Sequence, residues 1–421
     1  MIAQRNWLLA TLVEDCSAGV VVEIRGQQLW MRCDWARVGQ SVNVSPKEAG
    51  VRVVRHGVVT SVREDHLAGV TMLDPTVGLS CGCLVRRHQP FPRAVAHEVV
   101  AGAVLNGYLD DASGRSVWQG VRSARQKPCG QALVVQPTGL CVIDLLVPLY
   151  RGMRLVVSGP AGVGKTTLLQ SLADGAWDHV VAVLLGERQL EVAGWQDSLA
   201  AGGSSYTVVG VPASAPLAER VAGLDGGVEL AAALADEGRH VLLLVDSLTR
   251  WSRAWTQLHG GETGSPSSDM FQTIARALEQ AGPRDRGSVT MVVSTLSDEM
   301  PDALTEEAMS VCDGHWLLRR SLSSRGRWPA VDPIHSLSRP SGQDSARRAP
   351  ATALREVWAQ LQEQAPAFSL GLADASADTP ASRLWRQQHA FERWLFGPCT
   401  DLETMLEQAS EWVERLTGVG R

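Results

Sequence analysis

Residues 158 to 167 read Ser-Gly-Pro-Ala-Gly-Val-Gly-Lys-Thr-Thr, and they indicate the class of fold more strongly than any other part of the chain. From Gly159 to Thr166 it fills every fixed position of the pattern G-x-x-x-x-G-K-[ST], in which a glycine-rich loop cradles phosphates. The stretch Arg154-Leu-Val-Val-Ser158 predicts a short buried strand before the loop, and the leucines at 168, 169 and 172 predict a helix after it. A strand, a loop and a helix in this order form the setting that the pattern requires. A glycine-rich turn that matches by chance would not account for both flanks, so we predict a nucleoside triphosphate site.

The lysine of this loop is unusual for the chain. Lysine occurs only at positions 47, 127 and 165, and arginine supplies the rest of the 39 basic residues. A compact ammonium group enters a ring of backbone amides as a point charge, whereas a planar guanidinium is bulkier. We therefore expect Lys165 to reach the β and γ phosphates, while the loop glycines let successive amides face the anion. The predicted loop residues in contact with ATP are Gly159, Pro160, Ala161, Gly162, Val163, Gly164, Lys165, Thr166 and Thr167.

Length and charge limit the class of protein. With 421 residues, of which 45% are hydrophobic, the chain can bury a large core and divide into two or three domains. The net charge of −6 argues against a protein that coats nucleic acid, so we expect no nucleic-acid partner.

Cysteine usage and the N-terminal residues favour a cytoplasmic protein. The eight cysteines are scattered, and Cys81 and Cys83 lack a second pair at zinc spacing, so we interpret them as buried reduced thiols. The apolar run Trp7 to Val13 is short and is followed by Glu14 and Asp15, which is typical of neither a signal peptide nor a membrane span. Any membrane association is therefore expected to be peripheral and to depend on partners.

The first part of the chain is rich in short β-type runs. Val20 to Ile24 and Gln28 to Met31 are joined by Arg25-Gly26-Gln27, which is typical of a hairpin. Further predicted strands are Val51 to His56, Val58 to Val62 and Val70 to Leu73. We assign residues 1–88 to a small N-terminal β-barrel domain.

The centre of the chain alternates strands and helices, as a mostly parallel sheet requires. The predicted buried strands are Leu155 to Ser158, Val180 to Leu185, Thr207 to Val211, His240 to Val245 and Val289 to Ser294. We assign residues 89–345 to this α/β domain. The fold class is therefore α/β, with a P-loop core between a β-barrel and a C-terminal helical region.

The last part of the chain is predicted to be helical. Residues 340–350 are rich in serine, glycine, proline and arginine, and we expect a hinge there. Beyond it, Leu354, Trp358 and Leu361 share one helical face. We assign residues 346–421 to a C-terminal helical domain.

A carboxylate ends one of the predicted central strands. His240 to Asp246 is an apolar run that finishes in an acid, about eighty residues after the loop. In P-loop enzymes an acid at such a strand end holds magnesium together with the loop hydroxyl, here Thr166. A strand-end cap is the alternative interpretation of Asp246, and the position after the loop favours the metal.

Glu187 and Arg188 follow the neighbouring predicted strand. A carboxylate there can polarise a water molecule near the γ phosphate, and an adjacent arginine can stabilise the departing phosphoryl group. The same two residues could form a surface ion pair. Their spacing alone leaves both interpretations open.

Several further motifs occur in a fixed order along the chain. They are Gln136 to Asp144, Gly186-Glu-Arg-x-x-Glu-Val192, Asp246-Ser-Leu-Thr-Arg250, Asp313-Gly-His315, Arg325-Gly-Arg-Trp-Pro-Ala-Val-Asp332 and Ser336-Leu-Ser-Arg339. From about residue 90 to 340 the chain resembles the ATPases of type III secretion and flagellar protein export, which are relatives of the catalytic subunits of rotary ATP synthases. The resemblance implies an N-terminal β-barrel, a RecA-like core, a helical C-terminal domain and a homohexameric ring.

The resemblance also implies roles for individual residues. Lys165 and Thr166 would be phosphate and magnesium ligands, and Asp246 would hold Mg²⁺ through water. Glu187 would activate the attacking water, and Arg188 would contact the γ phosphate. ATP with Mg²⁺ is therefore the expected substrate.

Two more residues and one departure follow from the same resemblance. Arg339 is similar to an arginine finger that enters a neighbouring subunit's site, where such fingers accelerate phosphoryl transfer by about a thousandfold or more. A salt bridge in a loop is the alternative for Arg339. Trp328 stands where relatives stack an aromatic ring on adenine. Leu190, by contrast, stands where relatives usually carry a second arginine.

The function implied is ATP hydrolysis that energises type III protein secretion, in an injectisome or a flagellar system, with release of cargo from chaperones. The implied partners are other copies of the chain, stalk and stator proteins, and chaperone–cargo complexes. Two alternatives stay open at this point: an RNA translocase of the transcription-termination type, and a ring subunit that binds nucleotide without hydrolysing it. RNA-stimulated hydrolysis would favour the first, and absence of phosphate release would favour the second.

Overall fold

The computed structural model describes residues 18–26, 28–37, 40–45, 55–63, 65–72, 76, 78–87, 100–111, 134–259, 267–298, 300–339, 345–377, 379–399 and 401–417. Its strands are β1 (Gly19–Arg25), β2 (Gln28–Arg32), β3 (Ser41–Ser45), β4 (Arg55–Val62), β5 (Leu67–Met72), β6 (Leu84–Arg87), β7 (Ala103–Leu105), β8 (Val135–Gln136), β9 (Leu149–Tyr150), β10 (Arg154–Gly159), β11 (His179–Glu187), β12 (Tyr206–Pro212), β13 (His240–Asp246), β14 (Gly282–Pro283), β15 (Ser288–Leu296), β16 (Gly314–Leu317) and β17 (Leu337–Ser338).

The helices of the described residues are α1 (Cys141–Leu146), α2 (Lys165–Ala173), α3 (Gln189–Ala201), α4 (Leu217–Asp236), α5 (Leu248–Leu258), α6 (Ser268–Leu278), α7 (Ala303–Val311), α8 (Arg320–Ser323), α9 (Ser345–Ser369), α10 (Pro380–Leu395) and α11 (Leu402–Thr417). None of them is long and apolar enough to cross a membrane.

The N-terminal strands close into a barrel in the order β1-β2-β5-β4-β3-β6. The predicted hairpin is confirmed, with Val21 opposite Met31 and Arg25 opposite Gln28. One continuous strand, β4, replaces the two that we predicted near residues 51–62, and residues 51–54 lie outside the described part. Strand β3 was not predicted, because its Ser-Val-Asn-Val-Ser pattern contains only two apolar residues, both buried inside the barrel.

The central sheet has the order β17-β16-β10-β15-β13-β11-β12-β7, with β14 paired to β15. All five predicted central strands are present and pair in parallel with their neighbours in this order, whereas the short β14 pairs antiparallel with β15. Because helices cover both faces, these strands are buried along most of their length and read as apolar runs rather than as alternating patterns. The predicted α/β class with a barrel and a helical end is therefore confirmed.

The register of the parallel strands brings three chemical groups to one edge of the sheet. Gly159 ends β10, Glu187 ends β11 and Asp246 ends β13. Leu184 pairs with Asp246, and β15 lies between β10 and β13. In open α/β sheets, ligands bind at the carboxyl ends of the strands. This edge is therefore where a ligand is expected.

Helices α9, α10 and α11 pack against the core. The predicted apolar face of Leu354, Trp358 and Leu361 is buried. The segment after α10 also pairs with the turn before α1, where the backbone amide of Cys141 donates to the carbonyl of Gly397 at 3.1 Å. The C-terminal helices are thus attached to the sheet domain by both side chains and backbone.

The predicted hinge at residues 340–350 is wrong in its second half. Residues 340–344 lie outside the described part, but α9 already begins at Ser345 and runs through Pro350. Arg347 and Ala351 are both buried one helical turn apart, so packing maintains the helix across this proline. The predicted domain boundary after residue 88 lies outside the described residues, and the division into three domains stays a prediction.

Substitutions at two glycines, Gly227 and Gly194, would test how closely the helices pack on the sheet. Gly227 of α4 lies against β11, where an added Cβ would overlap the Val183 side chain, whereas Gly194 of α3 has no such neighbour within 4 Å. We expect Gly227→Ala to lower the free energy of unfolding by about 1–3 kcal/mol through overpacking. Gly194→Ala should instead raise it, by about 0.5–1 kcal/mol, because alanine favours the helix. Urea unfolding of both variants measures the contrast, and equal effects would contradict this packing.

Candidate nucleotide-binding site

The loop between β10 and α2 has the conformation that its glycines allow. Gly162 and Gly164 have φ values of +75° and +97°, in the left-handed region that side chains disfavour. At Gly159 an added Cβ would lie 2.7 Å from the carbonyl oxygen of Leu318, so only glycine fits beside the neighbouring strand. Helix α2 begins at Lys165, with its first backbone amides available to an anion.

Lys165 spans this loop. Its Nζ donates to the carbonyl oxygens of Gly159 at 2.6 Å and Pro160 at 2.7 Å. Burial lowers the pKa of Lys165 to about 8, although the nearby Asp246 carboxylate opposes the change. A bound polyphosphate would supply the negative charge that favours the ammonium form.

Thr166 and Asp246 meet as the sequence predicted. The Thr166 hydroxyl donates to Asp246 Oδ2 at 2.9 Å, and the Ser294 hydroxyl donates to Oδ1 at 2.7 Å. Hydroxyl and carboxylate oxygens are the ligand types that Mg²⁺ prefers in nucleotide sites, with water and phosphate oxygens completing the coordination. The residues present therefore fit a magnesium ion. Sequence reasoning missed Ser294, although a polar residue near the end of an apolar strand was the available signal.

Glu187 is paired with an arginine of α5. Arg250 Nη1 lies 2.6 Å from Glu187 Oε2 and donates to the carbonyl of Gly186 at 2.7 Å. The Glu187 side chain is only 8% exposed, whereas that of Arg250 is 42% exposed. Arg250 ends the motif Asp246-Ser-Leu-Thr-Arg250, from which no role for it was predicted. Its position four residues after Asp246, at the start of a helix, was the signal that could have identified it.

The surroundings of Glu187 raise its pKa to about 8. Burial is the main cause, followed by a hydrogen bond with Glu191. The Arg250 guanidinium opposes the change, but it is partly exposed and therefore screened by water. Glu187 is thus a buried carboxyl whose pKa is close to neutral pH, the range in which a side chain can both take up and release a proton.

These residues line one cavity of about 390 Å³. Its walls include Gly162, Lys165, Thr166, Glu187, Asp246 and Arg250. The structure therefore brings the predicted phosphate, magnesium and water-activating residues together in a space that fits a polyphosphate.

Five predicted residues lie around this cavity rather than in its wall: Gly159, Pro160, Val163, Arg188 and Trp328. Trp328 is 38% exposed, and its Cδ1 lies 3.8 Å from where a Cβ on Gly164 would be, so the ring borders the phosphate loop. Val163 is buried beneath the loop. Arg188 is exposed and precedes α3, where its backbone amide donates to Glu191.

Arg339 lies at the opposite end of the sheet from the phosphate loop. Its amide donates to the carbonyl of Asp313, whose own amide donates to Arg154 at the start of β10. The length of β10 places Arg339 about 16 Å from Gly159 along the strand direction, given the usual rise per residue. Its side chain is exposed beside the edge strand β17. Within one chain, Arg339 therefore lies at a distance from the chain's own cavity.

Comparisons with known proteins agree with this geometry. The family described as "ATP synthase alpha/beta family, nucleotide-binding domain" matches residues 139–338. The SPI-2 type 3 secretion system ATPase of Salmonella typhimurium is 32% identical, over 83% of this chain and 88% of that protein. The chain belongs to the family of type III secretion and flagellar export ATPases. This confirms the resemblance predicted from the motifs.

Other members of the secretion-ATPase family match in part or in fold. The flagellum-specific ATP synthase of Rhizobium meliloti is 39% identical over 48% of this chain and 46% of its own length. The assembled ATPase EscN of the enteropathogenic E. coli type III secretion system has the same fold, with a TM-score of 0.79 at 23% identity, covering 94% of this chain and all of that one. The membership argues against the RNA-translocase alternative.

The buried carboxyl of this secretion-ATPase site predicts a pH effect on stability. The pKa of Glu187 rises from an ordinary 4.5 to about 8 on folding, so the folded chain binds the extra proton between these values. The free energy of unfolding therefore falls as pH rises through this window. In Glu187→Gln no carboxyl titrates at this position, so the variant does not lose this stability as pH rises. The Tm of the variant minus the Tm of the wild type should therefore increase by several degrees between about pH 5 and about pH 8.5.

Differential scanning calorimetry across this range measures the effect. Glu306→Gln, at an exposed position in α7, is the matched control and should follow the wild type. If Glu187→Gln also runs parallel to the wild type, the raised pKa is contradicted.

Proposed function

We propose that this chain is a magnesium-dependent ATPase that energises type III protein secretion, in an injectisome or a flagellar system, by releasing cargo from chaperones and promoting export. The observation that supports the proposal is the meeting of Lys165, the Thr166–Asp246 pair and Glu187 in one cavity, in a chain of the secretion-ATPase family. These are the parts that phosphoryl transfer to water needs: a cradle, a metal site and a carboxylate beside the γ phosphate.

The chemistry follows from positions and charges. The loop amides and Lys165 bind and orient the phosphates. Thr166 and Asp246 would hold Mg²⁺, which when bound neutralises charge on the phosphate oxygens. Glu187 orients a water molecule and accepts its hydrogen bond, since its pKa lies near the working pH. Arg250 keeps the Glu187 carboxyl directed into the cavity through the contact at 2.6 Å.

The same proposal assigns roles to residues around the cavity. Trp328 stacks on the adenine ring beside Gly164, and Arg188 contacts the γ phosphate in the assembled state. Arg339 acts as the arginine finger of a neighbouring copy. Its exposure and its distance from its own phosphate loop support a role in a second subunit's site rather than in its own. A closed ring, a homohexamer, would then contain one shared site at each interface.

The proposed partners follow from the family. One solved structure describes EscN in complex with its central stalk EscO, with a TM-score of 0.76 and 23% identity over 94% of this chain and all of that one. We infer that a ring of this chain also takes a stalk protein, together with a stator protein and chaperone–cargo complexes. The ring would work in the cytoplasm, held at the inner face of the membrane by these partners.

The variant Glu187→Gln tests the proposal. It keeps the shape and the cradle but cannot accept a proton from water, so we expect phosphate release to fall by at least about a hundredfold. The Kd for ATP should change little, because Lys165 and the loop remain. Phosphate release and equilibrium ATP binding are measured on the full chain, with Glu306→Gln as the control that retains the wild-type rate. Hydrolysis by Glu187→Gln at the wild-type rate would remove Glu187 from this role, and stimulation by RNA would favour the translocase.

A further inference from the structure

Glu392, a buried carboxylate of the C-terminal helices, forms an ion pair with Arg327, the residue before Trp328. Glu392 of α10 is 2% exposed, and its Oε2 accepts from Arg327 Nε at 2.9 Å and Nη2 at 2.6 Å. Its other oxygen accepts from Gln388 of the same helix at 2.8 Å. A buried carboxylate is costly without partners, and an ion pair with further hydrogen bonds offsets that cost. Arg327 and α10 are therefore fixed to each other.

A second arginine attaches the far end of the same loop to α9. Arg355 donates through Nε to the carbonyl of Pro333 at 3.2 Å and through Nη2 to the carbonyl of Leu146. Pro333 follows Trp328 by five residues. The segment 327–333 is thus held from the C-terminal side at both ends, by α10 at its start and by α9 at its end.

The same segment is also bound to the core. The amide of Arg327 donates to the carbonyl of Leu322 at 3.1 Å, and the amide of Arg319 donates to the carbonyl of Ala330 at 2.9 Å. Between these attachments Trp328 projects beside Gly164, with part of its ring exposed. The Arg327 side chain reaches α10, while the neighbouring Trp328 side chain reaches the phosphate loop.

We propose that Arg327 and Glu392 are positioning residues for recognition of the nucleotide base. Their ion pair fixes α10 to the loop and so sets the position of the Trp328 ring, against which an aromatic purine base stacks. The inference rests on the proposed function through the role of Trp328. Because coupling between two sites is reciprocal, binding of the base should in turn strengthen the attachment of α10. The pair joins residues 65 positions apart, which the sequence alone does not indicate.

The test distinguishes binding of the nucleotide base from binding of the phosphates. Full-length wild type, Glu392→Gln and Arg327→Gln are titrated with Mg-ATP and with inorganic tripolyphosphate, which lacks the base. We expect the Kd for ATP to rise about tenfold in either variant, a change that corresponds to about 1.4 kcal/mol, while the Kd for tripolyphosphate stays unchanged. In a Trp328→Ala background, adding Glu392→Gln should have no further effect on ATP binding, because the ring through which the pair acts is absent.

A second readout follows the helix itself. ATP should increase hydrogen-exchange protection of residues 380–395 in the wild type and fail to do so in Glu392→Gln. Arg386→Gln is the matched control, because its guanidinium donates only to the carbonyls of Ala375 and Ala377 among the contacts seen, away from Arg327. The double variant Arg327→Glu with Glu392→Arg restores an ion pair with the charges exchanged and should recover ATP affinity. Such recovery would show that the single variants lose affinity because the pair is broken and not because they fold poorly.

Distinct outcomes overturn the inference and the proposed function. Equal loss of ATP and tripolyphosphate affinity would reduce the pair to a structural role, and unchanged ATP affinity would remove it from base recognition. If Trp328→Ala binds ATP as the wild type does, the stacking role of Trp328 fails and the inference fails with it. A wild type that binds ATP without hydrolysing it would contradict the proposed function alone, since every titration here measures binding.

Discussion

The site depends on one constraint, the register of the parallel strands β10, β15, β13 and β11. This register aligns the carboxyl ends of the four strands at one edge of the sheet. The phosphate loop, Asp246 and Glu187 follow or end these strands and therefore lie close together at that edge. Asp246 then joins α2 to β15, because its two oxygens accept from Thr166 and Ser294. A one-residue slip in any strand would turn these side chains to the other face of the sheet and separate them.

Burial at this edge shifts the pKa values of two ionisable groups, Lys165 and Glu187, that would lie beside a bound nucleotide. The pKa of Lys165 is lowered and the pKa of Glu187 is raised, both to about 8 and both mainly because water is excluded. A polyphosphate with its metal would change this balance, since it brings negative charge to the lysine and positive charge towards the carboxyl. Burial of these two groups therefore carries an electrostatic cost, which the charges of a bound Mg-nucleotide would offset.

Much of this arrangement could be predicted from local sequence. The loop pattern identified Lys165 and Thr166, and the apolar runs identified the five central strands, because buried parallel strands are continuous in hydrophobicity. Contacts between distant residues could not be predicted in the same way. The ion pair between Glu187 and Arg250 and that between Arg327 and Glu392 depend on how separate elements pack. Short strands such as β3 and β16 were missed because they carry few apolar residues.

The central claim is that each site is shared between two copies of the chain, and mixing two inactive variants tests it directly. A Glu187→Gln chain still supplies Arg339, and an Arg339→Ala chain still supplies Glu187. At an interface where the Arg339→Ala chain provides the phosphate loop with Glu187 and the Glu187→Gln chain provides Arg339, the site contains every required group. The account predicts that each variant alone is inactive and that the mixture recovers a substantial part of the wild-type phosphate release, dependent on protein concentration. No recovery in a mixture shown to form joint assemblies would contradict it, as would full activity of Arg339→Ala alone.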